Sequence, residues 1–215
     1  MTMEGRETIV VFCAHNDDQI IGAGGTLARY SQEGKRTIVY IFSYGENSHP
    51  HLKRKVIVEQ RVKESRKSDA VLGIEETKYF GLKEGKFLQS KGIRKKVREI
   101  VSGLKPAKIF IHAMDDAHPD HRAVNTIVLE ALEGSTSKNQ VFSFGVWNIL
   151  TLRKRNSPQL IVDISDTFHK KVKALKTHES QQVAIWSLLW NVYLKALLNG
   201  FNHGVRYAEI FYRIR

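Results

Sequence analysis

Apolar and polar positions alternate along the chain in short blocks. Residues 9–14, IVVFCA, form a continuous apolar run, the pattern of a strand buried on both faces. The stretch Gly22-Ala23-Gly24-Gly25 follows, and residues 26–30 read as a helix that Gly34 ends. Residues 37–42 repeat the strand pattern, so the order strand, loop, helix, strand suggests a right-handed parallel unit. Further along, the pattern predicts a long charged helix over 53–72 stopped by Gly73, a strand over 77–80, and a helix over 91–104 before Lys105-Pro106. A fourth strand at 107–111, a helix at 122–132, and strands at 141–146, 160–162 and 207–212 complete the series. The expected fold is α/β: a Rossmann-like, doubly wound, mostly parallel sheet with helices on both faces. No polar, Pro/Gly-rich linker interrupts it, so residues 1–215 read as one domain. The segment 183–198 stands apart. It is strongly apolar, carries Trp186 and Trp190 four residues apart, and is broken by Ser187, Asn191 and Lys195. It is short for a membrane span. The expectation is a buried core helix, with a subunit-interface helix second and a membrane-surface helix third.

Open α/β sheets build their sites at the carboxyl ends of the strands. Two predicted strands end in metal-binding residue types. The first runs into Ala14-His15-Asn16-Asp17-Asp18. The fourth leads through His112-Ala113-Met114 into Asp115-Asp116-Ala117-His118-Pro119-Asp120-His121. Asp, Asn and Pro occur in ordinary turns, but two such loops, both dense in His and Asp, argue for a metal site. Imidazole and carboxylate ligands together suit zinc, and a catalytic zinc uses three protein ligands and leaves a position open for water. His15, Asp18 and His121 would supply that number, with Asp17 left as a base. The glycines suggest a competing dinucleotide loop, but the G-x-G-x-x-G spacing is absent and the neighbouring acids would repel a pyrophosphate.

The chain has 215 residues, 42% hydrophobic and 26% charged, enough for a substantial core. Its net charge of +12 is concentrated in Lys53-Arg54-Lys55, Arg94-Lys95-Lys96 and Arg153-Lys154-Arg155. These clusters are scattered and lack interleaved aromatics, so they read as solvated helix faces rather than a nucleic-acid surface. They also suit a substrate carrying an acidic or phosphate group. The N-terminus has no signal-peptide pattern and no transmembrane segment is expected. The one cysteine, Cys13, lies in an apolar run and reads as a buried thiol, and a cytoplasmic location is the default.

The sequence resembles the PIG-L/LmbE-like zinc de-N-acetylases, which act on N-acetylglucosaminyl compounds. The family's A-H-P-D-D-E motif and following G-G-T are matched by Ala14-His15-Asn16-Asp17-Asp18-Gln19 and Gly24-Gly25-Thr26. Its R-x-x-E helix is matched by Arg61-Val62-Lys63-Glu64, and its H-P-D-H motif by His118-Pro119-Asp120-His121. A K-x-x-A-L-x-x-H-x-S-Q pattern is approximated from Lys171 to Gln181, and Y-A-E-x-F is Tyr207-Ala208-Glu209-Ile210-Phe211. The resemblance implies a zinc hydrolase that removes an acetyl group from an acetylated amino sugar. Zn2+ would be held by His15, Asp18 and His121, and Asp17 would be the general base. A protonated His118, oriented by Asp120, would stabilise the oxyanion or protonate the leaving amine. Arg61 and Glu84 would bind substrate. The alternatives are an amidase for another acylated amino-sugar conjugate and a non-catalytic, basic zinc-binding module. Two positions depart from the pattern. Asn16 replaces Pro at little expected cost, and Gln19 replaces Glu, removing a charge beside a ligand. The loops 47–52 and 184–203 are the expected specificity elements, and the apolar segment makes a homo-oligomer the expected assembly.

Overall fold

In the computed structural model, residues 5–46, 53–135, 139–147 and 157–215 are described. Five strands run parallel: β1 (Thr8–Cys13), β2 (Arg36–Ile41), β3 (Glu76–Tyr79), β4 (Lys108–His112) and β5 (Gln140–Phe144). Two more, β6 (Gln159–Asp163) and β7 (Ala208–Arg213), close one edge antiparallel. The order is β3-β2-β1-β4-β5-β7-β6. The helices are α1 (Asp18–Gln32), α2 (Arg54–Leu72), α3 (Ile93–Leu104), α4 (Pro119–Leu132), α5 (Phe168–Leu175) and α6 (Gln182–Asn202).

The pleat of β1 explains its unbroken apolar run. Ile9, Val11 and Cys13 face one core with α1, α5 and α6, while Val10, Phe12 and Ala14 face another with α3 and α4. The sheet is therefore wound on both faces, as expected. Gly73 ends α2 at φ 74°, a left-handed conformation that a residue without Cβ adopts freely.

Three elements differ from the sequence reading. The helix expected at 26–30 starts at Asp18 and takes in the glycines. Those glycines serve helix packing: a Cβ on Gly25 would lie 2.7 Å from Ile164 Cδ1, and one on Gly22 would enter the Phe144 ring. The α5 helix was not anticipated. The α6 helix, expected in the core, buries only one side, through Ile185, Leu188, Val192 and Ala196. Trp186 and Trp190 are exposed. The reason is that apolar residues line the helix all round, so periodicity could not separate a covered face from an open one.

A buried ion pair fastens α1 to α5 and β7. Lys171 Nζ lies 2.6 Å from Glu209 Oε1 and donates to the Ile21 carbonyl at 2.8 Å. Glu209 accepts the backbone N–H groups of Gly25 (3.1 Å) and Thr26 (2.8 Å). Glu209→Ala should strand the Lys171 charge and lower stability by about 3–5 kcal/mol, measured as a fall in the urea midpoint. An unchanged midpoint would show that the pair does not hold these elements together.

Candidate active site

The order β2-β1-β4 puts the carboxyl ends of β1 and β4 side by side where the winding direction changes, the usual crevice of such sheets. From β1 come His15, Asp17 and Asp18, the last two at the start of α1. From β4 come His112 and then residues 116–121, with His118 capping α4 and Pro119 at its first position. Two helix N-termini thus meet at the same cluster, where their dipoles favour negative charge.

Asp18 is the centre of the cluster. Its Oδ2 accepts the His15 backbone N–H at 2.7 Å and lies 3.4 Å from His15 Nδ1 and 3.3 Å from His112 Nε2. Its Oδ1 lies 3.2 Å from His121 Nε2. Burial alone would raise the Asp18 carboxyl, but the charges of His121 and His112 overcome it and hold it well below the usual range. Burial likewise pushes the His15 ring down, yet hydrogen bonding to Asp120 and Asp18 raises it to about 10. For His121 the Asp18 charge and the Asp116 bond outweigh burial, and the ring rises to about 9. These two cationic rings crowd one carboxylate, a balance that a dication bound in their place would satisfy. His15, Asp18 and His121 offer ligand atoms within 4.8 Å of one another, so the residues fit a metal with nitrogen and oxygen donors.

Two neighbouring groups of the same size are already committed. In one, His112 stacks on His121 at 3.8 Å and its Nε2 accepts the Ala14 N–H. Burial and the His121 charge push it down to about 4, so it is neutral. Asp116, in the same group, sits 3.0 Å from His121 Nδ1 and accepts N–H groups from His118, Val146 and Trp147. It aims the Nε2 of His121 at Asp18. In the other group, Asp120 accepts the Gly85 N–H and lies 3.5 Å from His15 Nε2.

The contact between His118 and Asp120 has a definite direction. The hydrogen bond between them runs from the Asp120 backbone N–H to His118 Nδ1, at 3.2 Å, and not from ring to carboxylate. A ring whose Nδ1 accepts carries its proton on Nε2. Burial and the charges of His121 and His15 also lower its affinity for a second proton. The bond thus leaves Nε2 as the position from which His118 can donate.

A cleft of about 500 Å³ covers the cluster, and its walls include His15, Asp17, Asp18, Arg61, Glu84 and His118. Asp120 also reaches it, while His121 is fully buried behind. All eight residues singled out in the sequence therefore meet at one place. Arg61 is buried with Nε and Nη1 lacking protein partners, and Gly45 lies so close above it that a Cβ would meet Nη2 at 2.7 Å. The Glu64 carboxylate, in reach of Arg61 by sequence, is instead taken by Ser180 at 2.6 and 2.8 Å. That bond ties α2 to the turn whose Gln181 walls the cleft. Glu84 Oε1 is 3.8 Å from His15 Nε2 and 3.5 Å from Ser43 Oγ.

The sequence reading gave no role to His112, Asp116 or His178. The first two stood in the quoted loop, but strand-end position alone does not separate a ligand from its support. His178 lies in the motif ending at Gln181, is fully buried, and neither ring nitrogen has a protein partner. Gln19, also buried, donates to the Asn16 carbonyl at 2.9 Å and so shapes the ligand loop without charge. Asn16 is buried at the foot of the same loop, and its side-chain amide has no protein partner. Of the expected specificity loops, 47–52 lies outside the described residues, and 184–203 is mostly helix α6.

Fold and cleft together define a carboxyl-edge site built from histidines and carboxylates. The chain belongs to the PIG-L family, whose model, described as GlcNAc-PI de-N-acetylase, matches residues 10–132. It is 25% identical over 210 residues to the diacetylchitobiose deacetylase of Thermococcus kodakarensis, covering 91% of this chain and 78% of that protein. Among solved structures, the N,N'-diacetylchitobiose deacetylase of Pyrococcus horikoshii superposes with a TM-score of 0.82 at 23% identity, covering 98% of this chain and 85% of that one. The 4-carboxy-2-hydroxymuconate hydratase of Pseudomonas putida also reaches 0.82, at 18% identity, covering 97% of this chain and 96% of that one. The fold therefore hosts more than one reaction, and the chemistry has to be read from the site.

The pairing makes metal uptake a proton exchange. With His15 raised to about 10 and His121 to about 9, both rings are protonated at neutral pH in the metal-free protein. Loading it with zinc at neutral pH should release about two protons per ion, and affinity should climb as pH rises. Calorimetry in buffers of different ionisation enthalpy measures this. Release near zero would mean that the rings are neutral and the assigned contacts wrong.

Proposed function

We propose that the protein is a zinc-dependent hydrolase that removes the acetyl group from an N-acetylglucosamine-containing substrate, with one domain carrying the whole reaction. The observation that carries this is the convergence of His15, Asp18 and His121 on one point beside a cleft that the Asp17 carboxylate and the His118 ring also line. A zinc ion there would lower the pKa of a water toward about 7 and polarise the acetamide carbonyl.

The chain's own groups account for the protons. Asp17 lines the cleft and makes no capping hydrogen bond to α1, so its carboxylate is available to take a proton from the attacking water. As the water oxygen bonds to the acetyl carbon, the carbonyl oxygen gains charge. His118 Nε2–H donates to that oxygen, and the Asp120 backbone N–H holds the ring in the donating tautomer. When the C–N bond breaks, Asp17 returns its proton to the nitrogen, leaving acetate and a free amino sugar. Arg61, with two unpartnered groups at the cleft wall, suits sugar hydroxyls or an acidic substituent, and Glu84 suits a further hydroxyl.

The family description and the named deacetylase relatives support an acetylated amino sugar as substrate. Release of a carboxylic acid other than acetate would select the amidase alternative. The convergence of base and donor disfavours a non-catalytic zinc module. Basic side chains at the helix surfaces pair with acids, Arg54 with Glu46 and Lys95 with Glu99, which supports solvated faces over nucleic-acid binding. Among the described residues no helix is long and apolar enough to cross a membrane. A cytoplasmic location, the default for a chain with one buried free thiol, belongs to the same reading. So does assembly from identical subunits, which the exposed side of α6 supports.

Asp17→Asn and His118→Ala should each retain zinc and lose about 10²–10⁴-fold in turnover, measured as acetate released from N,N'-diacetylchitobiose and related acetylated amino sugars. His121→Ala should instead emerge depleted in metal by elemental analysis. Parental turnover in both Asp17→Asn and His118→Ala would sink the assignment.

A further inference from the structure

The α6 helix is apolar on two sides. One is buried in its own chain, with Leu188 also walling the cleft. The other presents Trp186, Trp190, Tyr193, Leu194, Leu197 and Phe201, with Trp186 65% and Phe201 81% exposed. Seven of the thirteen large apolar side chains exposed among the described residues lie on this one helix. Monomeric proteins rarely leave so continuous an apolar stripe in water.

We propose that this stripe is the surface through which a second copy of the chain docks, α6 lying against its own equivalent about a two-fold axis. The proposal rests on the inference of a self-assembled enzyme and gives it a location. Area supports it: at about 200 Å² for each fully exposed large side chain, the stripe together with the exposed Leu198 beside it offers roughly 750 Å², close to the ~800 Å² that one partner contributes to a standard interface. Spacing supports it as well. Residues 186, 190, 193 and 197 step by four, three and four, the seam of two paired helices. Such a seam is self-complementary, as a two-fold interface requires.

Charge separates this occupant from the others. A chain of net charge +12 repels its own copy over most of its surface, and an uncharged face is where two copies can meet. The only charged residue of α6 is Lys195, which lines a separate cavity with Lys171 and Glu209. A helix resting on an anionic membrane would carry lysines and arginines along its polar side, and α6 carries none beyond Lys195.

The test is the mass of the purified protein in solution at about 100 µM, by sedimentation equilibrium. The expected result is a dimer or a higher even assembly. Trp190→Glu combined with Leu197→Glu should reduce it to half that size or less, with the far-UV spectrum of the parent. Leu194→Cys supplies a second measurement without a new charge: Cys13 is buried, so mild oxidation should give a disulfide-linked dimer through the new thiol. A monomeric parent overturns the proposal, as does an assembly untouched by the charged pair or a Leu194→Cys protein that stays uncrosslinked. A monomer that co-sediments with phosphatidylglycerol vesicles would overturn it in favour of a membrane. The mass needs no substrate, so its failure leaves the deacetylase reading intact, and a paired but inactive enzyme fails that reading alone.

Discussion

The Asp18 carboxylate is the contact on which the site depends. It stands at the first position of α1, and its two oxygens face His15, His112 and His121, which arrive from two different strands. One of those oxygens also accepts the His15 backbone N–H, so the same side chain closes the loop and gathers the imidazoles. Burial would normally neutralise such an acid. Here the helix terminus and the surrounding rings keep it ionised, and a buried charge so surrounded has little freedom to move. The site is assembled from parts more than a hundred residues apart in the chain because parallel strand pairing makes those parts adjacent.

The elements most legible in the sequence were those whose signal is local. Continuous apolar runs placed β1, β2 and β4, and the predicted ligands lay at their ends because open sheets expose their strand termini there. What escaped depended on distant neighbours. The glycines of α1 look like a loop until Phe144 and Ile164 are seen pressing on the helix. Asp116 and His112 share their residue types with the ligands, and only three dimensions show that one aims His121 and the other packs against it. The direction of the His118–Asp120 bond hangs on a backbone N–H, which no sequence pattern displays.

The comparison with a hydratase on the same fold sharpens what the chemistry depends on. The sheet supplies a crevice and two helix termini, and these suit any reaction that develops negative charge. Deacetylation asks in addition for a proton acceptor beside the water and a donor beside the carbonyl. Asp17 and His118 follow the neighbouring carboxyl ends of β1 and β4 and line the cleft above the core, where one scaffold can present different groups.

The crowding at Gly22 and Gly25 has a bearing on how this enzyme can change. Because α1 presses directly onto Phe144 and Ile164, its depth in the molecule is set by bare backbone. Asp17 and Asp18 ride on the end of that same helix. A methyl group gained at either glycine would act like a shim under a lever, displacing both carboxylates together from a point one or two turns away. The geometry of the site therefore depends on two positions with no side chain at all.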